Sequence, residues 1–270
     1  MTPADVDAAA AMIRGANWGD PHAFFTFAAD HSGCLPFVAE AGGEVVGTGI
    51  ATVNGPAGWV GRIFVSPQHR GRGLGRALTE TVTEALEAAG CRTLVLVATA
   101  AGRPIYEKLG FRLDPAYRVI EAPGTAGRQD PAVRAFDPVH LDAILALDRA
   151  ATGEDRAHLL RRLATPATAR VLCGTDGSVR GFIVDAIDKG RAATVAPDLD
   201  DGLRLLAARR AAAAVDERVR AGVVETNTDA LARLADLGWT DAWTATRMIR
   251  GEPLAWNPNA LWGQLNFALG

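Results

Sequence analysis

At 270 residues the chain exceeds a usual single domain, and a prior of roughly 150 residues per domain predicts two cores. Hydrophobic residues make up 49% and charged residues 22%, the balance of an ordinary globular chain and not of a disordered one. The net charge of -3 and a pI near 6.0 remove any general attraction for polyanions, so neither nucleic acid nor a membrane surface is an expected partner.

The opening Met1-Thr2-Pro3-Ala4-Asp5 has neither the basic segment nor the apolar stretch of a signal peptide, and no apolar run approaches about 18 residues; a cytoplasmic location is expected. Cys34, Cys91 and Cys173 stand far apart without His or Cys neighbours at metal spacing, so they read as small core residues and no metal is expected.

In chain order, residues 2 to 15 and 21 to 30 carry apolar side chains at helical spacing: Val6, Ala9, Ala10 and Ile13, then Phe24, Phe25 and Phe27. Two strand-like runs follow, 36 to 40 and 45 to 53, around Gly42-Gly43, and Asn54-Gly55-Pro56 turns the chain into a third run, Trp59 to Val65. An antiparallel meander is expected. Beyond Ser66-Pro67 a glycine-rich segment leads into a helix-period pattern from Leu74 to Ala89, stopped by Gly90. Thr93 to Ala98 is a continuous apolar run suited to a buried parallel strand. A helix around Pro104 to Leu109 and a strand around Tyr117 to Ala122 close the first domain, residues 1 to 122.

Residues 123 to 131 have linker composition. The second half, 132 to 252, repeats the plan of the first: helices at 138 to 151 and 156 to 164, strands at 169 to 173, 179 to 187 and 191 to 196, a helix at 202 to 214, a strand at 219 to 225, a helix at 229 to 237 and a strand at 243 to 250. An internal duplication is the economical explanation. The tail, 253 to 270, places Trp256, Trp262 and Phe267 among polar residues as packing anchors.

A strand that ends at Val65 and feeds Arg70-Gly71-Arg72-Gly73-Leu74-Gly75-Arg76 into a helix presents unpaired N–H groups at a helix N-terminus, which makes an anion site. Glycine removes the Cβ atoms that would keep a pyrophosphate from the backbone, and it permits positive φ. Each charge-assisted hydrogen bond there contributes roughly 1.5 to 3 kcal/mol. The Gly-Lys-Ser/Thr ending of a Walker loop is absent, and a dinucleotide fold would place its glycines after the first strand of a parallel unit.

The string SPQHRGRGLGRAL, then helix, buried strand and AGRPIYEKLGF, closely resembles the GNAT acetyltransferase superfamily over residues 1 to 121. Arg70, Gly73 and Gly75 match its Arg-x-x-Gly-x-Gly signature, and Tyr106, Gly110 and Phe111 its Tyr-x-x-x-Gly-Phe element. The resemblance implies an α/β fold of two tandem domains, each a largely antiparallel mixed sheet with a central parallel pair flanked by helices. It implies acetyl-CoA as cosubstrate, with Ile63, Phe64 and Val65 pairing with the pantetheine arm and Arg70, Gly71, Arg72, Gly73, Leu74, Gly75 and Arg76 around the pyrophosphate. It makes Tyr106 the general acid for the departing thiolate. Many family members carry a glutamate base on the strand before the turn, but Trp59 to Val65 has no carboxylate. A water chain, a backbone carbonyl, Asp30, His31 and Glu40 are alternatives, and no base is assigned.

At the position matching the glycine turn the second half reads Asp198-Leu199-Asp200-Asp201-Gly202, which is too acidic to cradle a pyrophosphate. Its Gly153-Glu154-Asp155-Arg156 and Thr246-Arg247-Met248 strings resemble degenerate GNAT domains found behind an active one. The expected acceptor is a primary amine of a small molecule, with the protein a monomer or homodimer. A protein or peptide acceptor, and a non-catalytic acetyl-CoA sensor, remain as alternatives.

Overall fold

The computed structural model describes residues 1–16, 19–127, 129–187 and 190–270. In chain order the elements are α1 (Val6–Arg14), α2 (His22–Asp30), β1 (Cys34–Ala41), β2 (Glu44–Asn54), β3 (Ala57–Val65), α3 (Leu74–Ala88), β4 (Thr93–Ala98), α4 (Arg103–Lys108), β5 (Arg112–Leu113), β6 (Tyr117–Pro123), β7 (Val133–Ala135), α5 (Leu141–Thr152), α6 (Ala157–Leu163), β8 (Ala169–Cys173), β9 (Val179–Asp185), β10 (Ala192–Val195), α7 (Leu199–Ala212), β11 (Arg218–Val224), α8 (Thr228–Asp236), β12 (Thr240–Gly251) and β13 (Leu261–Gly263). Among the described residues no helix is long and apolar enough to cross a membrane. All three cysteines are buried and free.

The chain divides into two compact units. The first comprises Met1–Asp114, Arg247–Pro253 and Phe267–Gly270, and the second Pro115–Thr246 and Leu254–Asn266. The stretch 123 to 131 lies in the second unit, and Arg128 within it is outside the described residues.

In the first unit β1, β2 and β3 form the expected antiparallel meander, and β3 pairs in parallel with β4. The last residues of β12 stand beside β4 and pair with β5, Met248 opposite Leu113 and Ile249 opposite Arg112. Leu78, Val82 and Leu86 of α3 recur every fourth residue and lie on one face of this sheet, each worth roughly 1.5 to 3 kcal/mol of burial. The sheet makes room for the helix with small residues: a Cβ at Gly49 would lie 2.9 Å from Val82, and one at Gly58 2.7 Å from Leu86. Because side chains alternate along a strand, Trp59 and Gly61 of β3 face the other way.

In the second unit β6 pairs with β11 and with the first part of β12, and a separate antiparallel sheet runs β13-β10-β9-β8-β7. Its helices and strands follow the repeated order expected from sequence, with β7 and β13 added. The segment expected to be an acidic turn instead begins α7 at Leu199, because the Asp198 carboxylate accepts the Asp201 N–H and caps the helix (3.1 Å).

Candidate active site

β3 and β4 run in register from Ala57 opposite Thr93 to Val60 opposite Leu96, and then part. β3 continues through Val65, still paired with β2 on its other edge, Gly61 to Ile50 and Val65 to Gly47. Ile63, Phe64 and Val65 lie on β3 beyond Val60, the last residue paired with β4, on the kind of edge to which an extended ligand adds as a strand. Arg62 lies between, at φ 51°, the only non-glycine residue at positive φ among those described. Thr48 Oγ1 donates to its carbonyl (2.9 Å), and the β2 register slips between Thr48 and Ile50. This bulge re-aims β3 where it leaves β4.

Beyond β3 the turn is built on Gly71 (φ 75°) and Gly73 (φ 81°), and Gly73 is the N-cap of α3. A Cβ at either would meet nothing within 4 Å, so it is backbone conformation, not packing, that calls for glycine. No side chain caps α3. Its first-turn N–H groups therefore lack a side-chain acceptor, and the positive end of the helix dipole lies open to an anion. Arg70, Arg72 and Arg76 surround this end on the surface. Arg70 Nε donates to the Val65 carbonyl (3.1 Å), and Arg76 pairs with Glu80 (2.8 Å).

α4 follows β4, with Pro104 in its first turn, where a missing N–H is harmless. It carries Tyr106 into the same buried cluster as Val60 and Leu96, the pair at which the strands part. The ring meets Phe111 edge to face with centroids 6.2 Å apart, and only 8% of the residue is exposed. Burial pushes the phenol up to about 12. Its hydroxyl makes no hydrogen bond among the described residues. Gly102 seats the ring: a Cβ there would lie 2.8 Å from Tyr106 Cε2 and 3.2 Å from its hydroxyl. Sequence reasoning missed Gly102, which lies four residues before the tyrosine and carries no side chain to attract notice.

Asp30 closes α2, His31 follows it with Nδ1 accepting the Gly33 N–H (3.0 Å), and Glu40 is exposed on β1, with β2 between it and β3.

Residues 8–111 match the acetyltransferase (GNAT) family, and residues 144–263 match an acetyltransferase (GNAT) domain family. The chain belongs to the GNAT acetyltransferases. It is a tandem member of a family that is generally acyl-CoA dependent. Three solved structures share its fold at low identity. A provisionally assigned acetyltransferase from Pyrococcus horikoshii is 22% identical with a TM-score of 0.84, over 100% of this chain and 94% of its own. A GCN5-related N-acetyltransferase from Sphaerobacter thermophilus is 17% identical (0.60; 95% and 96%), and the tandem GNAT protein from the clavulanic acid biosynthesis pathway is 16% identical (0.58; 92% and 94%).

The second GNAT domain has closed the corresponding ground. Asp198 caps α7, whereas α3 is left without a side-chain cap. β13 pairs with β10, the counterpart of β3, Thr194 opposite Gly263 and Val195 opposite Leu261. Trp262, fully buried, donates Nε1–H to the Ala196 carbonyl (3.0 Å) and presses on Gly202 in the first turn of α7. The strings that marked this GNAT domain in the sequence have structural work. Gly153 ends α5 at φ 71°, and Arg156 pairs with Asp148 in the interior. In the first unit, buried Arg247 pairs with Asp114.

Proposed function

We propose that this GNAT protein transfers the acetyl group of acetyl-CoA to a primary amine of a small molecule by direct attack, with residues 1 to 122 as the catalytic domain, 123 to 131 as linker and 132 to 252 as a degenerate partner. The observation that carries the reading is that one unit holds both an uncapped helix N-terminus behind a glycine turn and a strand, β3, that runs on past its last pair with β4. The backbone of residues 70 to 76 would hold the pyrophosphate, and β3 at Ile63, Phe64 and Val65 the pantetheine arm. Acetyl-CoA supplies a thioester carbonyl as electrophile and a thiolate as leaving group.

Tyr106 acts at the sulfur. With its phenol up at about 12, it is neutral and able to donate at every physiological pH. Complete transfer of its proton to a thiolate of ordinary pKa near 8.5 would be uphill by roughly 5 kcal/mol, so its contribution is a hydrogen bond that strengthens as charge develops. As β3 carries no carboxylate, the acceptor reacts as the free amine. At pH 7 a group of pKa near 10.4 gives up about 4.6 kcal/mol to reach that form.

The test is release of free thiol from acetyl-CoA across a panel of polyamines, amino acids and aminoglycosides, with wild type and Tyr106→Phe side by side. Turnover with one class, reduced in the variant, supports the reading. Acetyl-CoA binding without turnover on any amine would favour a sensor.

A further inference from the structure

One residue past Val60, the last of β3 paired with β4, the chain has laid another of its own segments over the face of Gly61. A Cβ at Gly61 would lie 2.3 Å from the Ala268 Cβ and 2.6 Å from its Cα. Two side chains of β2 fix the segment in place. Thr52 Oγ1 donates to the Ala268 carbonyl (2.8 Å) and Asn54 Nδ2 to the Leu269 carbonyl (2.8 Å). Thr52, Asn54 and Leu269 have no exposed surface and Ala268 only 3%. Polar groups at such depth require partners, and leaving one unsatisfied costs about 1–3 kcal/mol. The segment is therefore built into the unit and is not a loose end.

Its position decides what it does. α3 packs on the face of the sheet shown by Gly49 and Gly58, and its N-terminus carries the glycine turn, so a cofactor held there enters the parting of β3 and β4 from that side. A nucleophile must reach the thioester carbon from the other side. Gly61, three residues after Gly58 along the strand, shows that opposite face, and Ala268 covers it.

We infer that Ala268 and Leu269 form the acceptor-side wall of the first unit's cleft and restrict the acceptor to a small-molecule amine, because the strip of β2 and β3 on which a peptide could lie is already occupied by the protein's own chain. The inference rests on the acetyl-CoA reading above and deepens it. The wall also keeps water from the thioester.

Gly61→Ala tests this, since its methyl must push Ala268 away; Thr52→Val, which leaves the β3 backbone untouched, removes the hydrogen bond to Ala268 and a contact of the same hydroxyl with Cys34 Sγ (3.9 Å). For each folded protein three quantities are measured: acetyl-CoA affinity by calorimetry, acetyl-CoA hydrolysis without amine, and transfer to a lysine-containing tripeptide. In hydrolysis water adds at the carbonyl carbon, the C–S bond breaks, and acetate and free thiol result. Gly61→Ala should bind acetyl-CoA as wild type does, hydrolyse it about five-fold faster or more, and gain tripeptide transfer, with Thr52→Val intermediate. Unchanged affinity with unchanged hydrolysis in both variants, or wild-type transfer to the tripeptide, overturns the wall and leaves the acetyl-CoA reading standing. Failure of the wild type to bind acetyl-CoA overturns that reading, and the wall with it.

Discussion

Trp262 lies so close to Gly202 that a Cβ on residue 202 would stand 1.8 Å from the indole Cε2. In the second unit an aromatic side chain therefore sits on the first turn of α7, the counterpart of the turn that α3 leaves open. Trp262→Ala should destabilise the protein by about 3–5 kcal/mol, the usual loss for emptying a buried aromatic site. Gly202→Ala forces overpacking and should cost about 1–3 kcal/mol or more. Urea unfolding midpoints check both values. Acetyl-CoA affinity should stay within experimental scatter in either variant that remains folded.

Tyr106→Phe should lower kcat about 10²-fold, within the range for loss of a positioned donor, with acetyl-CoA affinity unchanged. Stability should barely move, since the hydroxyl has no hydrogen-bond partner to lose among the described residues. Gly102→Ala, by displacing the ring, should lower kcat while preserving the hydroxyl.

Both tyrosines of the chain, Tyr106 and Tyr117, are buried, and burial raises both phenols. A folded-state value above the unfolded value near 10 means that the stabilisation is fully present below pH 10. For Tyr106 it is lost as pH rises from 10 through about 12. Ultraviolet titration of native protein should show no tyrosinate step at pH 10. A reversible step there in folded protein would contradict the burial.

With the amine reacting as free base, log kcat/KM should rise with pH at about unit slope up to the pKa of the acceptor itself, and should shift when an amine of different basicity is used. A plateau fixed near neutral pH for every amine would instead reveal a base on the enzyme.

Asp148 and Arg156 are 1% and 2% exposed, and Arg156 Nε lies 3.0 Å from Asp148 Oδ2. Burial pulls the guanidinium down, but Asp148 and Glu154 more than restore it, so its net shift is upward. Asp148→Asn should cost about 3–5 kcal/mol by stranding a buried charge, and Asp148→Leu with Arg156→Met should recover most of that loss. Thermal unfolding of the three proteins measures both effects.

The glycine turn and its helix were legible because they obey local rules: a turn that wants positive φ, then Leu74, Leu78, Val82 and Leu86 at helix period. Tyr106 drew notice only through the resemblance of Tyr106, Gly110 and Phe111 to a family element, and its edge-to-face packing on Phe111 is seen in the structure. What escaped sequence reasoning depends on partners remote along the chain. Leu261–Gly263 is too short to show strand alternation, and it is a strand because β10 lies beside it. Nothing near Thr52 or Asn54 announces that their acceptors lie 216 and 215 residues away. Asp198 read as a repulsive charge in a turn, whereas its carboxylate caps α7. Composition excluded an anion site there, and only geometry showed what took its place.

The most direct measurement is calorimetric titration of the wild type with acetyl-CoA, paired with a Gly73→Asp, Gly75→Asp variant shown by circular dichroism to be folded. The account predicts one acetyl-CoA bound per chain, and none in the variant. Two bound per chain, or binding that survives in the variant, would contradict it.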